Sequence, residues 1–172
     1  MKIGAGAGAP DFDHPLEMLE ACHERIEERI DTLQRLLAHL GAHGCDEQAR
    51  QAAQNVMRYF DTAGEHHHAD EEVNLFPALA GDSDAAVLIE RLRREHARMR
   101  SLWQTLRAPL ARIAEGTSGQ LDPALVDEFG LLYRDHIALE EAELFPRAER
   151  ALAQPALDEI GSAMARRRGV RT

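Results

Sequence analysis

Apolar residues recur every three or four positions along four long stretches of the chain, with short polar or glycine-containing breaks between them. The first stretch runs from about Pro15 to Leu40, where Leu16, Leu19, His23, Ile26, Ile30, Leu33 and Leu37 mark one face of an amphipathic helix. The second begins near Asp46, a residue type that caps helix N-termini, and reaches about Ala80 before Gly81. The third starts at a Ser83/Asp84 cap and runs to about Glu115; Pro109 inside it predicts a kink or a split. The fourth opens at Asp122-Pro123, a cap followed by proline at the first helical position, and runs to about Ala153. A short fifth helix is predicted from Pro155 to Arg168. Short connections force neighbouring helices antiparallel. The expected fold is therefore all-α, an up-down-up-down antiparallel four-helix bundle. The expected organisation is a flexible N-terminus over residues 1–11, the bundle over 12–153, and a short helix with a basic tail over 154–172.

Composition narrows this picture. At 172 residues the chain suits one domain with a real core, and its 44% hydrophobic and 29% charged residues exclude a disordered chain. The absence of any long unbroken apolar run argues against a membrane-spanning helix. The net charge of −10 argues against a nucleic-acid partner, because an acidic surface repels phosphate backbones. The one basic cluster, Arg166 to Arg171, reads as a short tail without a role. Cys22 and Cys45 are too few for a disulfide framework, and Cys22 reads as a buried structural thiol. Met1 to Pro10 lacks the apolar segment of a secretory signal, so the cytoplasm is the expected compartment. The anomaly is the count of nine histidines.

Those histidines sit in an internal repeat. His67 to Pro77 reads His-His-Ala-Asp-Glu-Glu-Val-Asn-Leu-Phe-Pro, and His136 to Pro146 reads His-Ile-Ala-Leu-Glu-Glu-Ala-Glu-Leu-Phe-Pro, identical at seven of eleven positions. A phenylalanine, Phe60 or Phe129, stands seven residues before each histidine. A weaker repeat aligns Leu19, His23, Arg25, Ile26, Leu33 and Leu37 with Leu92, His96, Arg98, Met99, Leu106 and Leu110. The chain is thus two related helical hairpins, each with a lone histidine on its first helix and His-x-x-x-Glu on its second. Residues four apart lie on one helical face, so His67 with Glu71, and His136 with Glu140, point the same way. Phe60, Ala63 and Asn74 are expected on the first of those faces; Phe129, Leu132, and Glu143 or Leu144 on the second. His23 and His96 lie on the apolar stripes of their own helices. Counting residues to each turn places His67 and His96 within about 3 Å in height and His23 within about one turn of His67.

Two carboxylates buried without partners cost several kcal/mol each, and a metal centre is a physical reason to keep them. Imidazole and carboxylate without thiolate suit iron, manganese or zinc, and six donors exceed what one tetrahedral zinc needs. They fit two metals, each with two histidines, bridged by both glutamates. The repeated motifs and the lone histidines resemble the hemerythrin-like (His-His-Glu cation-binding) domains, over about residues 12 to 150. That resemblance implies a four-helix bundle holding two non-haem iron ions, oxo- or hydroxo-bridged when oxidised. The metal ligands it implies are His23, His67, Glu71, His96, His136 and Glu140. One departure stands out. Oxygen-carrying hemerythrins have a further histidine one turn after the third-helix ligand; here that position is Arg100.

Of the three adjacent histidines only His67 stands nine residues before its Phe-Pro proline's partner phenylalanine, as His136 does, so His66 and His68 are not expected as ligands. His14, His39 and His43 read as solvated, Tyr133 as a core residue, and Glu72 and Glu141 as the solvated members of their acidic pairs. Glu27, one turn from His23, is a candidate to fill an open position on one metal. The second hairpin lacks the Glu-x-x-His of a ferritin-like bundle, and the His-Glu-x-x-His of a zinc protease, a phosphate loop and a nucleophile elbow are absent. Three functions stay open at this point: binding or sensing of O2 or NO, iron storage, delivery or repair, and a peroxidase- or NO-reductase-like redox enzyme. The two near-equivalent metals implied by Arg100 favour redox or gas sensing over oxygen transport.

Overall fold

The computed structural model describes residues 11–170. Among the described residues the chain forms five helices and no strand. Helix α1 spans Pro15–His43. Helix α2, residues 47–78, is a continuous rod in which regular segments alternate with two wide π-turns, Phe60–Gly64 and Asp70–Leu75. Helix α3 spans Ser83–Ala114. Helix α4, residues 123–151, carries one π-turn at Glu140–Leu144. Helix α5 spans Gln154–Arg167. The expected flexible segment 1–11 lies, apart from Asp11, outside the described residues.

The caps explain the boundaries. Asp46 accepts from the Ala49 amide, and Asp122 accepts from the Ala124 amide ahead of Pro123. The cap of α3 lies one residue earlier than its sequence suggests: Asp82 accepts from the amides of Asp84 and Ala85. Of the kink or split expected at Pro109, the split does not occur: α3 runs unbroken through it. Leu106, Leu110 and Ile113 around it are fully buried, and that packing outweighs one lost backbone hydrogen bond. The π-turns ending at Leu75 and Leu144 are followed at once by Phe76-Pro77 and Phe145-Pro146. A widened turn relieves the clash and the missing N–H that proline imposes on a regular helix.

The core has two parts. One cluster joins Ile26 to Leu40, Ala49 to Phe60, Met99 to Ala114 and Val126 to Ile137. The other joins Leu16 to Leu19, Leu75 to Leu79, Ala85 to Leu92 and Leu144 to Ala148, with Ile160 and Met164 from α5. The inward-facing His23, His67, Glu71, His96, His136 and Glu140 lie where the two clusters meet. The bundle therefore has a polar layer sealed between two apolar ones. No helix among the described residues is long and apolar enough to cross a membrane.

Helix α5 docks on α1 and on the π-turn Asp70–Leu75. Gly161 permits the approach, since a Cβ there would collide with the Phe12 carbonyl. Asp70 is fully buried and pairs with Arg167 and, at 2.6 Å, with Arg168; Arg167 also donates to Asn74 at 2.9 Å. The basic cluster read as a tail without a role thus closes the bundle beside Glu71. Asp70→Ala leaves both guanidinium groups without their buried partner. The expected loss is about 3 kcal/mol in urea unfolding, with α5 becoming the first protease target; an unchanged midpoint would show that α5 is held by apolar contacts alone.

Candidate metal centre

The wide turns set which side chains reach the interior. The π-turn before His67 buries Gly64 where a regular helix would bury Ala63, and leaves His67 and Glu71 facing inward. The later turns bury Leu75 and Leu144, leaving Asn74 half-buried and Glu143 exposed. His23 from α1, His67 and Glu71 from α2, His96 from α3, and His136 and Glu140 from α4 all meet in the polar layer, each at most 2% exposed.

Their atoms form two overlapping sets. His23, His67, Glu71 and Glu140 offer ligand atoms within 4.8 Å of one another, and so do Glu71, His96, His136 and Glu140. The glutamates belong to both. Glu71 turns one oxygen to His67 Nε2 and the other to His96 Nε2, both at 3.2 Å. Glu140 does the same toward His136 and His23, both at 3.1 Å. Each carboxylate therefore spans the two sets, as a bridge between two cations would.

The protein alone does not satisfy this arrangement. Both oxygens of Glu71 and one of Glu140 are buried without a hydrogen-bond partner among the described residues. His96 Nε2 and His136 Nε2 face each other at 2.9 Å, so at most one imidazole can donate to the other. Burial, and then the Glu140 carboxylate, push the Glu71 carboxyl well above its ordinary range. Burial together with His23 keeps the His67 imidazole uncharged. Converging lone pairs with too few protons are the donor set of a cation site, and nitrogen plus carboxylate oxygen suits borderline divalent metals.

Three of the four imidazoles are held from behind by a carboxylate. His23 Nδ1 meets Glu141, His96 Nδ1 meets Glu72, and His136 Nδ1 meets Glu95, each at 2.8 Å. Carboxylates in this position fix the tautomer and raise the basicity of a metal-binding imidazole. Glu72 and Glu141 are thus corrected from solvated residues to orienting ones. Glu95, which sequence reasoning missed, lies one residue before His96, a spacing that carries no signal for a contact with His136 on the next helix. Arg100 turns to Glu72 at 2.9 Å and Arg91 to Glu95 at 2.8 Å. The His96 contact, with Arg100 added, holds the Glu72 carboxyl down at about 2. Glu27 is exposed and does not reach the centre. Phe145 stacks on His23 with centroids 5.3 Å apart, and Phe76 on His96 at 5.9 Å, so both Phe-Pro phenylalanines wall the layer. Cys22 is buried, as expected, and His39 bonds to Asp46 at 2.9 Å rather than standing free in solvent.

A chelated sample leaves four imidazoles and two carboxylates facing one another. Its melting temperature should fall by about 10 °C relative to the metal-loaded protein at matched pH, the shift expected for a cation present at roughly 1,000 times its dissociation constant. Equal melting curves would show that the layer is stable without a cation. Glu72→Gln and Glu95→Gln each keep an oxygen but lose the charge behind an imidazole; metal affinity by competition with a chromogenic chelator should fall about 10- to 100-fold.

The family model for the hemerythrin HHE cation-binding domain matches residues 14–148. An uncharacterized protein of Haemophilus influenzae is 30% identical over 161 residues, which is 93% of each chain. That match spans all four bundle helices, and the chain is a member of the hemerythrin HHE cation-binding domain family.

Proposed function

We propose that the chain is a cytoplasmic di-iron protein that binds or senses O2 or NO, with redox or gas sensing as its task rather than oxygen transport. The observation that carries this reading is the double bridge: each glutamate serves both donor sets, and each set has two imidazoles. Two iron ions held there by His23, His67, Glu71, His96, His136 and Glu140 would supply reversible electron transfer and positions open to a diatomic ligand.

The protein's own residues give that centre its character. Each set offers four protein donors, fewer than the six positions of an octahedral ion. Arg100, at the position of the additional histidine of oxygen carriers, is engaged by Glu72 and adds no imidazole. The two sets are therefore equal in donor type, and neither metal is shielded by a fuller shell. Equal shells give a small oxidant no protected partner metal to spare. The apolar clusters on both sides keep bulk water from the layer. The net charge of −10 favours a small dissolved molecule over nucleic acid as the partner.

Metal analysis of the protein expressed in iron-replete medium should find two irons per chain. Stopped-flow mixing of the reduced, iron-loaded protein with O2 should then show oxidation within seconds and no long-lived oxygenated species. An oxygenated form lasting for hours would establish a carrier, and a single bound zinc would remove the di-iron reading.

A further inference from the structure

His68 belongs to neither donor set, yet it is 4% exposed and lies against both. Its ring stacks on His96 with centroids 4.1 Å apart and planes 22° from parallel, and its centroid is 6.0 Å from that of His67. His67 is in one set and His96 in the other. His68 thus flanks the layer where the two halves meet.

A second buried polar residue fixes its state. Tyr133, one turn before His136 on α4, is 4% exposed, and its Oη lies 3.4 Å from His68 Nε2. The rings are nearly parallel, 14° apart, at 5.8 Å. A phenol has one proton to donate, and a neutral imidazole has one N–H and one acceptor nitrogen. Among the described residues the phenol O–H meets one acceptor, His68 Nε2, and donates to it. The remaining imidazole proton then stands on Nδ1, which is buried without any hydrogen-bond partner among the described residues. A buried donor without a partner is unfavourable, and an apolar side chain would fill the same space without that penalty.

We propose that His68 is a ligand-recognition residue: its Nδ1–H donates a hydrogen bond to a small anionic or dipolar ligand of two or three atoms held at the dinuclear centre. Stacking on His96 sets the ring plane and Tyr133 sets the tautomer, so the donor is in place before the ligand arrives. The proposal rests on the dinuclear reading given above and not on which gas the centre meets. It also gives the three-histidine run a division of labour, with His67 toward the metals and His68 toward what they bind.

Azide is the probe. The oxidised, iron-loaded full chain is titrated with azide by absorbance, and the infrared stretch of bound azide is compared in H2O and D2O. Wild type should bind azide and show a deuterium shift of that stretch. His68→Leu should keep two irons, lose the shift and bind azide about tenfold or more weakly, as for loss of a hydrogen bond to a charged group. His68→Asn places an amide N–H near the position of Nδ1 and should restore most of the affinity; His68→Gln, which places it near Nε2, should not. Equal azide affinity in wild type and His68→Leu, or no deuterium shift in wild type, overturns the proposal and leaves the centre intact. Loss of one iron in His68→Leu overturns it by making His68 a ligand. A wild type that holds two irons but no azide removes the reading of an open centre, and this proposal with it.

Discussion

Two carboxylates with no access to water govern this protein. Glu71 and Glu140 are fully buried, and their oxygens are aimed at four imidazole nitrogens rather than at backbone or solvent. Without a cation, the layer has too few protons for its lone pairs and two acids too close to ionise freely. The rest of the fold is arranged around that problem. Apolar clusters above and below close the layer, π-turns bring the right side chains inward, and carboxylates outside hold three of the imidazoles in one orientation.

The outer ring of charge is uneven although the inner one is symmetric. His96 and His136, in one donor set, each have a carboxylate behind them that is itself paired with an arginine. In the other set His23 is backed by the half-exposed Glu141, and His67 Nδ1 has no partner among the described residues. Imidazoles backed by carboxylate donate more strongly, so the set with His96 and His136 is the stronger donor. Duplication produced two hairpins with the same inner pattern, and their surroundings have since diverged.

The C-terminal helix belongs to the same system. Asp70 sits next to Glu71 in sequence and inside the same wide turn, and its two arginine partners come from the end of α5. The turn that positions a bridging carboxylate is thereby fastened to an element outside the four-helix bundle.

The sequence by itself determined the helices, the repeat, and the six residues that the fold brings together. Periodicity of three and four residues names the buried face of a helix, and duplication of His-x-x-x-Glu selects His67 over its neighbours because both hairpins share one register to Phe-Pro. It did not determine the wide turns, since one extra residue in a turn shifts the face by less than the spacing of the apolar pattern, as at Ala63 and Gly64. Pro109 does not end α3 because a local backbone preference of a few kcal/mol yields to the packing of Leu106, Leu110 and Ile113. Only the tertiary structure decided the partners of Glu72, Glu95, Glu141, Asp70 and His68. Each meets a residue on another helix, and contact between helices depends on the rotation and height of two rods, which no spacing along one chain records.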